Sequence, residues 1–169
     1  IARSVDVPLA FQALAARVAR LVPCDRVGLA LLDEDGREFQ TYTARVEPQD
    51  NRSRPRPEIV FKVERTIIGK VVRAQTPMII DDIEASAPDH LDANILMTSG
   101  FRSAMLLPLV SRGRSVGTLN VVSRRVGAFT KQQADTLYPI AEILAVAWVA
   151  QQLHMTLGKH RTMEVMSEM

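Results

Sequence analysis

The sequence predicts an α+β fold: a six-stranded antiparallel sheet with helices on both sides and long N- and C-terminal helices packed together. Three observations carry this prediction. Apolar residues recur at helical spacing near both ends of the chain, six short strand-like runs lie between them, and two pairs of those runs flank the turn-forming tetrapeptides DEDG and SRGR. With 169 residues, one core can bury about 70% of the surface that the unfolded chain exposes.

From Pro8 to Leu21 the apolar positions Leu9, Phe11, Leu14, Ala15, Val18, Ala19 and Leu21 share one helical face, and Pro8 is tolerated in the first turn. Pro23 ends that helix. RVGLALLD is an apolar run of strand length, DEDG turns the chain, and EFQTYTARV returns as a second strand. The segment RVEPQDNRSRPRPE is predicted to be an irregular loop, because each proline removes a donor and biases its predecessor toward extended backbone. IVFKV forms a third strand, ERTIIGKVVRAQ a short helix ending at Thr76-Pro77, and MIIDDI a brief fourth strand. A helix from about Asp89 to Ser99 stops at Gly100. FRSAMLLPLV and SVGTLNVVSR are the fifth and sixth strands. Thr130 with Gln133 three residues on makes a capping-box pattern and opens a long helix. Its apolar face runs through Leu137, Ile140, Ala141, Leu144, Ala145, Trp148 and Val149, and the pattern continues to about Leu157, before Gly158.

Composition excludes several classes of function. The single cysteine, Cys24, allows no intramolecular disulfide and leaves the usual zinc ligand sets incomplete. No uninterrupted apolar run reaches the roughly 18 residues of a membrane span, and the first residues lack the order of a signal peptide; the expected location is cytoplasmic, with no membrane partner. Net charge is only +2, and four arginines among prolines read as a solvated loop, so no direct nucleic-acid contact is expected. The chain opens at Ile1 and closes inside a helical pattern, so it is expected to belong to a longer protein. The predicted division is one sensory domain over 1–157 and an extension over 158–169 leading toward an output domain.

Three segments in order resemble the GAF domain. LVPCDRVGLALLDEDG is similar to the family's passage from first helix to first strand; IIGKVVRAQTPMIIDDI is similar to its apolar-glycine-apolar helix leading through a proline to a short strand and an acidic turn. GFRSAMLLPLVSRGRSVGTLNVVSRRVGAFT looks like its terminal hairpin with a proline, paired glycines and an aromatic-threonine step into the last helix. The match is to input domains of the kind found in sensor histidine kinases, sigma-54-dependent activators and diguanylate cyclases. The resemblance implies a regulatory, non-catalytic module of a larger signal-transduction protein that senses a small molecule and reports through its terminal helices. The alternative is a dimerisation or protein-docking GAF module with no ligand.

In such domains a small cavity lies between the sheet and the helices on one side. The resemblance places Phe61, Asp81, Asp82, His90, Asn94, Met97, Thr98, Ser103 and Met105 around it, with Asn94 and Thr98 four apart on one helix face. The ligand itself is unknown. Cyclic-nucleotide-binding members carry an Asn-Lys pair, then Phe, then Asp-Glu; the matching residues are Ser123, Arg124, Phe129, Gln133 and Ala134, so only the phenylalanine is kept and a cyclic nucleotide is not expected. Cys24 lies between first helix and first strand, away from the cysteine-histidine pair through which relatives attach a bilin. Haem through His90 is a lesser alternative.

Catalysis is not expected, since the GAF branch that reduces free methionine sulfoxide uses several cysteines and this chain has one. No GxSxG, HExxH or phosphate-cradling glycine loop is present. For output, the resemblance implies a parallel homodimer through the end helices, with Leu14, Val18, Leu137, Ile140, Leu144 and Trp148 at its interface.

Overall fold

A computed structural model of the chain describes residues 6–44 and 57–168, and most of the arginine-proline segment therefore lies outside the described residues. Chain order is α1 (Val7–Leu21), β1 (Arg26–Leu32), β2 (Glu38–Ala44), β3 (Pro57–Lys62), α2 (Ile67–Ala74), β4 (Met78–Ile80), α3 (Ile83–Ser86), α4 (Leu91–Thr98), β5 (Ser103–Ser111), β6 (Arg114–Ser123) and α5 (Lys131–Glu168). The strands form the single six-stranded antiparallel sheet that the sequence predicts, and their order in it is β3-β2-β1-β6-β5-β4. The one described helix it does not predict is α3, a single turn that follows directly from the acids after β4.

Because successive strand residues point to opposite faces, each strand feeds two cores. Val27, Leu29, Leu31, Met105, Leu107, Leu109, Leu119 and Val121 pack with α1 and α5 on one face. Ala30, Leu32, Phe39, Ala104, Leu106 and Val122 pack with α2, α3 and the α4 side on the other. The capping box at the start of α5 forms as predicted: Gln133 Oε1 accepts from Thr130 N at 2.9 Å and Thr130 Oγ1 accepts from Gln133 N at 3.3 Å. The helix then runs through Gly158 instead of stopping before it, over 38 residues. A glycine inside a helix costs about 1 kcal/mol relative to alanine, which weakens a helix but does not end one.

The expected interface residues divide. Val18, Leu137 and Leu144 are fully buried against the chain's own sheet, so they are core and out of a partner's reach. Leu14, Ile140 and Trp148 are half-buried against the same core, and the Trp148 indole N–H donates to the Leu32 carbonyl at 3.2 Å. One sheet face thus absorbs the predicted stripe. A different set remains outside: Ile143, Val146, Leu153 and Leu157 are exposed by 64, 61, 59 and 56%. With exposed Ala150 they step along α5 by three, four, three and four residues, which is coiled-coil spacing. By length and composition alone α5 also contains a stretch apolar enough to cross a membrane, although the sequence shows no uninterrupted apolar run.

Candidate ligand-binding site

Between the sheet and the helices α2 and α4 lies a cavity of about 120 Å³. Its floor is the sheet, with Gly28 on β1, Asn120 and Val122 on β6 and Ala104 on β5; Phe61 closes it on the β3 side. Ile67 and Ile68 from the first turn of α2, with Ile95 and Leu96 from α4, form its roof, and Arg26 and Asp92 are its charged lining residues. The space is below the roughly 300–1,000 Å³ of clefts for drug-sized ligands, so it has room for a small molecule only.

Local sequence accounts for each part. Gly28 interrupts an apolar strand, and a Cβ built there would meet nothing closer than 3.7 Å, so the missing side chain relieves no clash and leaves floor space open. Asn120 stands opposite Gly28 in the β1–β6 register, and its Oδ1 is buried with no hydrogen-bond partner. Asp92 is nearly buried on α4 and ties the roof together. Its Oδ1 accepts from Ile67 N at 2.9 Å and Ala93 N at 3.0 Å, and its Oδ2 accepts from Ile68 N at 3.1 Å. Two otherwise orphaned amides of α2 are thus satisfied from a neighbouring helix.

Of the nine predicted ligand contacts, Phe61 lines the cavity and stacks on Phe39 with ring centroids 5.3 Å apart. The others are not among its lining residues. Ser103 and Met105 occupy the wrong parity of β5: Met105 is buried in the α1–α5 core and the Ser103 hydroxyl donates to the Arg125 carbonyl, while Ala104 and Leu106 take the cavity side. A shift of one position in a strand exchanges its faces. On α4 the residues facing inward are Asp92, Ile95 and Leu96, so Asn94 and Thr98 stand exposed, with the Thr98 hydroxyl donating to the Asn94 carbonyl at 2.8 Å. Met97 is half-buried filler beside that core. His90 is the N-cap residue of α4 and does not line the cavity, so it is not placed to ligate anything held there. Asp81 turns the chain, its carbonyl accepting from Gly127 N at 2.8 Å, and Asp82 precedes α3 and lies 3.6 Å from Arg102.

Residues 6–148 match the family model of the GAF domain. The chain belongs to the GAF family. This GAF domain superposes on the GAF domain of a phosphoenolpyruvate-protein phosphotransferase from Coxiella burnetii with a TM-score of 0.71 at 15% identity, covering 89% of this chain and 86% of that one. The GAF domain of a two-component sensor histidine kinase from Bacillus halodurans gives 0.67 at 16%, covering 90% and 99%. A free methionine-R-sulfoxide reductase from Neisseria meningitidis, solved in complex with its substrate, gives 0.65 at 22%, covering 88% and 81%. At these identities the likenesses speak to fold.

The one cysteine of this GAF domain lies apart from the cavity. Cys24 packs against the α1–α5 core, and burial, reinforced by the neighbouring Asp25 charge, pushes its thiol up to about 11. Nucleophilicity resides in the thiolate. Alkylation of native protein at pH 8 is therefore expected to be about two orders of magnitude slower than in denaturant; equal rates would contradict this placement.

Proposed function

We propose that this GAF domain is a regulatory small-molecule sensor within a larger signalling protein, and that it transmits occupancy of the cavity through α5. The observation that carries the reading is the two-sided sheet. Gly28 and Asn120 face the cavity, while Leu29, Leu119 and Val121 on the same strands pack against the terminal helices. Interiors this close-packed pass small shifts on, so an occupant that moves β1 or β6 also bears on α5.

Several contacts tie α5 to the sheet and to α1. Gln152 Nε2 and the Trp148 indole both donate to the Leu32 carbonyl, and Gln151 Oε1 accepts from Val7 N at 2.8 Å. The helix continues beyond these to Glu168, the direction in which an output domain would follow. A non-catalytic role is favoured by Cys24, which sits on the far side of the sheet with its thiol held protonated. Reductase chemistry of the kind named for the Neisseria relative would need a reactive thiol at the cavity.

Gly28→Val provides the test. Valine suits a central strand, and its methyls would occupy the space above the floor. Native mass spectrometry of a metabolite screen on the full chain is expected to find a small ligand that Gly28→Val no longer binds, while the variant's Tm stays level or rises by about 2–4 °C. A broad screen with no binder, or a binder indifferent to Gly28→Val, would overturn the reading.

The exposed stripe on α5 supports a parallel homodimer, with Ile143, Val146, Ala150, Leu153 and Leu157 as its seam in place of the core residues named from sequence. Leu153→Asp combined with Ile143→Asp is expected to shift the protein from dimer to monomer in analytical ultracentrifugation with the fold intact. A wild-type monomer at high concentration would remove the dimer.

A further inference from the structure

We propose that the cavity takes a small organic carboxylate with an apolar body, its carboxylate held by Arg26 and a ligand N–H or O–H donated to Asn120 Oδ1. This rests on the sensing reading above and specifies the class of ligand.

Arg26 and Asn120 lie on the same face of the sheet, on either side of the gap left by Gly28. In the β1–β6 register Arg26 pairs with Val122 and Gly28 with Asn120, so Arg26 and Asn120 are diagonal neighbours. Such neighbours stand about 7–8 Å apart, within reach of one small molecule. The guanidinium lies 4.7 Å from the centroid of Phe101, a fully buried ring. Stacking uses the face of a guanidinium, while its five N–H groups point outward in its plane. Packing of the group's face on Phe101 would leave its donor edge free for a ligand. Among the described residues Arg26 forms no ion pair and no side-chain hydrogen bond.

The surrounding charges favour an anion. Arg124 lies over the same ring, also at 4.7 Å, and adds a second positive charge. Asp25 offsets part of it, since its Oδ2 accepts from Arg124 N at 2.8 Å. Asp92, the acid in the cavity wall, already accepts from three backbone amides. A neutral ligand would leave the guanidinium without a counter-charge in a partly desolvated wall, whereas a carboxylate matches its fork with two parallel bonds. Phosphate is less suited, because Arg26 is the one cationic lining residue, and the rest of the wall is mainly apolar with the neutral Thr41, Tyr42 and Thr43 beside it. Asn120 Oδ1, buried and unpartnered, supplies the second point of recognition, and a buried acceptor without a donor is costly to leave unmet. The apolar body would lie between Phe61, Ile68 and Leu106.

Matched pairs of probes separate charge from shape. The full chain is titrated calorimetrically with mandelate and 2-hydroxyisovalerate, whose hydroxyls can donate to Asn120 Oδ1, and with their neutral counterparts mandelamide and 2-hydroxyisovaleramide. At least one carboxylate is expected to bind, with its amide about tenfold weaker or worse, and Gly28→Val should abolish binding while remaining folded. Arg26→Gln is expected to remove the preference for the carboxylate, whereas Arg26→Lys, which keeps the charge, should retain part of it. An amide that binds as well as its acid and is lost in Gly28→Val would overturn the ligand class and leave the sensor. So would failure of all four probes where the metabolite screen yields a ligand that is not a carboxylate. A carboxylate preference that survives Arg26→Gln would overturn the role of Arg26, and no binder in either experiment would overturn both readings.

Discussion

Gly117→Ala is expected to destabilise the domain by about 3 kcal/mol or more, which lowers Tm by roughly 6–12 °C. Gly117 lies on β6 between Leu31 of β1 and Leu109 of β5. A Cβ there would sit 2.1 Å from the Ala30 carbonyl oxygen and 3.1 Å from its carbonyl carbon, well inside van der Waals contact. The usual relief, a flexible side chain swinging aside, does not exist for a backbone carbonyl. Ala30 is paired to Thr41 on one edge and Thr118 on the other, so β1 cannot retreat from β6 without disturbing its ladder with β2. Gly28→Ala is the matched control, a second strand glycine whose added Cβ meets only ordinary contacts from 3.7 Å outward. Its effect on stability should be within about 1 kcal/mol. A Gly117→Ala protein melting with the wild type would mean that the two central strands separate far more easily than their pairing implies.

The same two glycines show what could be read from the chain alone. Both interrupt apolar strand patterns, and that pattern is sufficient to place strands, because alternation and turn residues are local properties. The helices were legible for similar reasons: Thr130 and Gln133 sit three apart, and Gly100 follows α4 with a φ of 89°, the left-handed backbone that glycine favours. Which glycine relieves a clash and which leaves a space depends on the neighbouring strand's carbonyl. No local pattern carries that distance.

The site was less legible than the fold because its membership depends on rotation and parity. Phe61, which the resemblance places at the cavity from the third strand, does line it. The resemblance points to Ser103 and Met105, whereas Ala104 and Leu106 take the cavity side, and that shift of one residue reverses the sheet face. On α4, a turn of the helix about its axis separates Asn94 and Thr98 from the inward positions Asp92, Ile95 and Leu96. Asn120 did carry a signal, as an amide inside the apolar run GTLNVV, and so did Gly28 within RVGLALL. Arg26 had none, since a charged residue opening a strand is ordinary. Of the residues expected at an interface, those on the stripe through Leu137 and Leu144 are consumed by one sheet face, and the exposed apolar residues Ile143, Val146 and Leu153 lie about half a turn away around α5.

Asp92→Ala is expected to cost roughly 2–4 kcal/mol, because it removes a charged acceptor that serves three backbone donors in a buried setting. The loss should be local in a way that a general loosening would not be. Helix α2 keeps its own N-cap, since Thr66 Oγ1 accepts from Gly69 N at 2.9 Å whether or not Asp92 is present. Among the described residues Asp92 is the only side-chain acceptor for Ile67 N and Ile68 N, and both residues form the cavity roof. Hydrogen exchange in Asp92→Ala should therefore quicken at Ile67 and Ile68 while Gly69 remains protected. Asp92→Asn should fall between the two proteins: one oxygen can still accept from Ile67 or Ala93, but the new amide NH₂ presents donors where Ile68 N requires an acceptor. Cavity binding should weaken in the same order, because the first turn of α2 and the Ile95–Leu96 side of α4 are joined through this carboxylate. If Asp92→Ala melts within a degree of the wild type with Ile67 and Ile68 still slow to exchange, the roof is held by packing of its isoleucines, and the carboxylate is incidental to it.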